Sequence, residues 1–200
     1  MVAATDLPLS ADLEKGKGDG PERAAETIFA ADAAGLAGCS IEDFSGDADK
    51  PIYDFSHAVE RVAAAVEAAR ALKRDFVFTA RAENFLHGRP DLDDTVRRLQ
   101  AFEAAGADVL YAPALPAIDT VRAVCSAVTK PVNVLAVPHF TVAELAAAGA
   151  RRISLGSKLT NYTFGMLEKA ARQILEEGSF AFADEAMPFA RLQQMFAVPE

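Results

Sequence analysis

The sequence predicts an α/β protein built on a parallel sheet, and three observations carry that prediction. Short apolar, β-branched stretches alternate along the chain with longer stretches of helical periodicity. The candidate strands are near-continuously apolar, as expected for a sheet covered by helices on both sides. A helix-stop-then-strand phrase also recurs, as AAGLAGCSI, AAGADVL and AAGARRISL. An open doubly wound sheet and a closed eight-stranded barrel both satisfy this pattern. The recurrence suits a barrel of equivalent modules, and no dinucleotide fingerprint speaks for the doubly wound arrangement.

Taken in order, residues 7–13 (LPLSADL) alternate apolar positions and read as the first strand. Pro21 then opens a helix, in the first-turn position that proline favours, which runs to residue 35. Residues 37–41 (AGCSI) are the second strand and lead into Glu42 and Asp43. A loop, FSGDADKPIYDF, reaches Ser56, an N-cap for a helix to about residue 74. Residues 76–79 (FVFT) make a third strand ending at Arg81. Helices at 92–105, 118–128 and 141–148 alternate with strands at 108–111, 131–135 and 153–155. Two further helices, 160–177 and 184–196, complete six strand–helix units.

Two hundred residues suit one domain over 1–200, with residues 158–200 forming helices used in subunit packing; FADEAMPFARLQQMF is apolar enough to be covered by a partner. A net charge of −9 and a pI near 4.9 argue against nucleic acid and anionic membranes as partners. No apolar run reaches the ~18 residues that span a bilayer, and no signal peptide precedes the first strand, so a cytoplasmic location is expected. Cys39 lies in a strand and Cys125 in a helix, which makes both inert core thiols.

Polar residues collect where strands end: Asp12 and Glu14, Glu42 and Asp43, Arg81 and Glu83, with Asn133 and Ser154 within the last two strands. In a parallel barrel the strand C-termini share one rim, so these side chains converge. Converging carboxylates repel unless a positive charge compensates them, and a hard divalent cation with oxygen ligands is the natural compensator. Arg81 would stand beside it as a fork for a substrate carboxylate or phosphonate. Either acid of the first pair alone reads as a helix-entry charge; their coincidence with Glu42 and Arg81 makes a site. The glycines of GKGDG match no phosphate-loop spacing and read as a mobile turn over the mouth. His57, His87 and His139 are isolated and read as exposed or capping residues.

The ordered set SADLEKGKGDGPE, GCSIEDFSGD, FVFTARAENFLHG, AGADVLYAPAL, PVNVLA and ARRISLGS resembles the isocitrate lyase/phosphoenolpyruvate mutase superfamily over almost the whole chain. The resemblance implies a TIM-type (β/α)8 barrel and a homo-oligomer, dimer or tetramer. It also implies an enzyme that uses Mg2+, with Mn2+ as the alternative. The reaction would cleave or form a C–C or P–C bond of a small 2-oxo or 2-hydroxy acid through an enolate-like intermediate. By the same resemblance Asp12, Glu14 and Glu42 correspond to the metal acids, Glu42 and Arg81 to catalytic groups, and Arg81 and Asn133 to substrate contacts.

Two departures stand out. The lyases of the family carry a Cys and a His in the loop after the I-E-D strand; here FSGDADKPIYDF has neither, and Lys50 or Tyr53 would have to substitute. This argues against isocitrate or methylisocitrate lyase activity. Family chains also reach the metal-acid strand after two earlier strand–helix units, whereas here it follows six residues. The expectation is therefore a barrel lacking its first two units, with a non-catalytic remnant as the alternative.

Overall fold

In a computed structural model, which describes residues 1–197, the chain divides into two compact units, Met1–Ser154 and Leu155–Glu200. The first holds six strands: β1 (Ser10–Asp12), β2 (Gly38–Glu42), β3 (Val77–Arg81), β4 (Val109–Tyr111), β5 (Val132–Leu135) and β6 (Arg152–Ser154). Between them run α1 (Pro21–Ala33), α2 (Phe55–Ala71), α3 (Leu92–Ala104), α4 (Ile118–Ser126) and α5 (Val142–Ala147). All strands pair in parallel and in chain order, β1 to β6. That order contains no reversal, the mark of a doubly wound sheet.

Alternation along each strand sorts the sheet into two faces. Cys39, Ile41, Phe78, Ala80, Leu110, Val132 and Val134 point toward the helices and are buried with Ile28, Val62, Leu99, Phe102, Val121 and Leu145. Burial pushes the Cys39 thiol up to about 12, so it stays protonated and inert, as its place in a strand implies.

The recurring AAG phrase has a backbone cause. Gly35, Gly106 and Gly149 end α1, α3 and α5 with φ of 83°, 102° and 105°. Only glycine enters that region without strain, so each helix stops there and turns into the next strand.

Two elements differ from the sequence expectation. β1 is confined to Ser10–Asp12, with single bonds to the neighbouring segment at either end: the Leu9 carbonyl accepts from the Ala37 N–H, and the Leu13 N–H donates to the Ser40 carbonyl. The helix expected at 184–196 is a 3-10 turn, Ala181–Glu185, followed by α7 (Phe189–Phe196). Pro188 separates them: its ring disfavours helical geometry at Met187. The second unit otherwise consists of α6 (Lys158–Glu177), closed by Gly178 in the left-handed conformation. Among the described residues no helix is long and apolar enough to cross a membrane.

Candidate functional site

Strand register assembles the polar face. Glu42 lies opposite Arg81, Arg81 opposite Tyr111, Tyr111 opposite Asn133 and Asn133 opposite Arg152. Two residues earlier, Asp12 lies opposite Ser40 and Ser40 opposite Thr79. In-register neighbours in a parallel sheet, and residues two apart along a strand, share a face. One face therefore carries Asp12, Ser40, Glu42, Arg81, Tyr111 and Asn133.

Arg81 is the hub of this face. Its guanidinium pairs with Asp12 at 2.5 Å, with Glu42 at 2.9 Å and with Glu83 at 2.9 Å, and its Cζ lies 5.2 Å from the Tyr111 ring centroid. Burial works against its charge, but Glu83, Glu42 and Asp12 outweigh burial and hold its pKa above the ordinary value. One guanidinium does not neutralise three acids. Burial raises Glu42 to about 7 against the pull of Arg81, with Asp12, Glu14 and Asp43 adding like charge. Glu83 is raised to about 7 by burial, with Glu42 and Asp43 adding to it. Asp43 is raised to about 6 by burial while Arg98 pulls it down.

The acids differ in freedom. The Asp12 side chain is 60% exposed, while those of Glu42 and Glu83 are 7% and 0% exposed. Ser40 Oγ donates to Asp12 Oδ1. Glu14 follows in a left-handed conformation with φ of 50°, rare for a residue with a side chain. That turn is held from both sides: its N–H donates to Asp12 and its carbonyl accepts the Glu42 N–H at 2.9 Å. Such strain, fixed by its surroundings, is found at functional sites.

Asn133 is buried, and its amide is engaged by β6: Nδ2 donates to Ser154 Oγ, and Oδ1 accepts from Arg152 Nε, both at 3.0 Å. Asp43 and Glu83 are part of the cluster that the strand ends announced. The sheet register reveals Tyr111, which no motif signalled.

The glycine turn is clamped rather than mobile. Arg61 of α2, 2% exposed, donates to the carbonyls of Gly18 (2.7 Å), Asp19 (2.6 Å) and Lys15 (2.5 Å). Tyr53 donates its hydroxyl to Asp19, and Lys15 reaches the Ser45 carbonyl at 2.7 Å. Tyr53 thus joins the 44–55 loop to the glycine turn, while Lys50 pairs with Asp54. Nothing in the spacing of GKGDG indicated this, because the clamp lies more than 40 residues away. Replacing Arg61 by Met is expected to open the turn and speed tryptic cleavage after Lys15 and Lys17 by about tenfold or more. Peptide mapping at equal folded fraction measures it, and an unchanged cleavage rate contradicts the clamp.

Among the described residues no three His, Cys, Asp or Glu side chains are already spaced as a ligand set for a metal ion. Arg81 stands between the acids instead. The donor chemistry nevertheless fits a hard divalent cation. The acids offer oxygen only, and they carry more negative charge than Arg81 cancels. Glu83 Oε2 is buried without a hydrogen-bond partner, 3.5 Å from His87 Nε2.

A sequentially ordered parallel sheet with acids and an arginine at its strand ends defines the class: an α/β protein with a charged cluster at its strand ends. The chain belongs to the phosphoenolpyruvate phosphomutase family, whose sequence model matches residues 1–175. It is 30% identical to oxaloacetate decarboxylase of Paraburkholderia xenovorans, over 98% of this chain and 67% of that protein. A Burkholderia cenocepacia structure described as a candidate lyase/mutase superposes with a TM-score of 0.94 at 50% identity. It covers 100% of this chain and 73% of its own. Phosphonopyruvate hydrolase, solved with oxalate and Mg2+, superposes with a TM-score of 0.79 at 25% identity, over 94% of this chain and 68% of its own. The homologues include lyases and mutases, enzymes of the isocitrate lyase/phosphoenolpyruvate mutase superfamily.

Proposed function

We propose that this chain acts in the cytoplasm on a C–C or P–C bond of a small 2-oxo or 2-hydroxy acid, with its six units forming part of a (β/α)8 barrel. One observation carries the reading: Arg81 is gripped by Asp12, Glu42 and Glu83 at the C-terminal ends of three strands. Asp12, Glu14 and Glu42 would hold Mg2+, or Mn2+ in its place, and the bound ion would supply a Lewis acid for the oxygens of the acid substrate.

The remaining steps fall to the chain's own groups. Asp12 is the exposed partner of Arg81, so its pair is the one that a substrate carboxylate can displace. Glu83 stays beneath and keeps the guanidinium oriented. When the bond beside the carbonyl breaks, negative charge gathers on an enolate-like oxygen, and Arg81 is the fixed cation placed to hold it. Glu42, beside Arg81, would bind the ion as a carboxylate, its proton leaving as the ion enters. Asn133 lines the same face of the sheet and would steady the substrate carboxylate. The apolar side chains that the second unit exposes, among them Leu159, Phe164, Phe189 and Phe196, support subunit packing in a homo-oligomer.

Oxalate with Mg2+ tests the site, since a ligand present at 100 times its Kd stabilises a protein by about 2.7 kcal/mol. A raised melting temperature that needs both components, and is lost in Asp12→Asn, is the expected result. No shift in the wild-type protein would overturn the reading and favour a non-catalytic barrel remnant.

A further inference from the structure

An unbroken hydrogen-bonded chain runs from an outer helix to Arg81. Arg98 projects from α3 and is 6% exposed. Its Nη1 donates to Asp43 Oδ2 at 3.0 Å and to the Tyr53 carbonyl at 2.9 Å, while Nε donates to Asp94 at 2.7 Å. The other oxygen of Asp43 accepts the Glu83 N–H at 2.8 Å. Glu83 Oε1 in turn accepts from Arg81 Nε at 2.9 Å.

We propose that Arg98 is a positioning residue for Arg81, acting through Asp43 and Glu83, and that it ties the 44–55 loop to the same support. Burying a guanidinium is costly, and an aliphatic side chain would fill that space more cheaply if packing were the only need. Arg98 instead gathers acceptors from three segments: the end of β2, the last part of the loop and the first turn of α3. Only a planar fork with several donors holds all three at once. Tyr53, whose carbonyl it grips, also reaches across to the glycine turn through its hydroxyl. Arg98 therefore stands where the anchorage of the loop and the orientation of Arg81 meet. The inference rests on the proposed function insofar as Arg81 is the substrate-binding group.

The test has two arms. In the first, nitrogen-15 NMR follows the Arg81 Nε–H resonance, assigned by its loss in Arg81→Lys. Arg98→Met is expected to shift this resonance and speed its exchange with solvent by about tenfold or more, with Arg98→Lys in between. In the second, oxalate affinity is measured with Mg2+ below each variant's melting temperature. Arg98→Met is expected to weaken it about tenfold, with partial rescue by Arg98→Lys. A resonance unchanged in folded Arg98→Met overturns the proposal. Should that variant fail to fold, an unchanged resonance in Arg98→Lys does the same. Failure of the wild-type protein to bind oxalate counts against the functional reading alone, because the NMR arm still judges the linkage.

Discussion

Arg81→Met is expected to abolish oxalate binding and turnover and to destabilise the protein by about 3–5 kcal/mol, the usual cost of leaving buried charges without their partner. Three ion pairs are lost, two of them to carboxylates that are almost wholly enclosed. The loss should be smaller near pH 6 than near pH 8, because Glu42 and Glu83 already titrate near 7 and can take up protons when the guanidinium is gone. Arg81→Lys is expected to recover part of the stability but not binding, since an ammonium keeps a positive charge among the acids yet offers no bidentate fork to a substrate carboxylate. Thermal melts at the two pH values, with calorimetric titration of oxalate, read both effects. Wild-type affinity in Arg81→Lys would show that only the charge matters.

The wild-type protein, free of metal, is expected to lose stability as pH rises from about 5 to about 8. Glu42 and Glu83 move from an ordinary 4.5 to about 7 on folding, and Asp43 from 3.8 to about 6. Between those values the folded state binds more protons than the unfolded state. Their contribution is therefore fully present below the unfolded pKa and is lost as pH rises through the folded one. His87, lowered by burial and by Arg81, opposes this trend, but it is one partly exposed group against three buried acids. Asp19 and Asp94 are lowered by their partners and act only on the acid side of this window. Glu42→Gln and Glu83→Gln should each flatten the slope. A melting temperature that is level or rising across the window would show that the acids are better compensated than the geometry implies.

Much of the fold was legible because its cues are local. Apolar runs, the helix stop at each AAG and the acids at strand ends are all written within a few residues of where they act. The place of Pro188 was local too, yet the apolar pattern across 184–196 masked it. The candidate site was legible only as a set of residue types. Asp12, Glu42 and Arg81 were expected at one rim, but not with the arginine standing between the acids. The glycine turn shows the limit most clearly: composition suggested freedom, whereas Arg61 holds three of its carbonyls from another helix.

By itself the sequence determined the alternation of strands and helices, the helix stops and the presence of acids and an arginine at strand ends, because backbone preference and hydrophobic period act over short distances. Only the tertiary structure decided the register that sets Glu42, Arg81, Tyr111 and Asn133 in one row, the excess of negative charge around Arg81 and the route from Arg98 to it. Those depend on pairings between segments tens of residues apart, whose energies arise from burial and distance that no local pattern records.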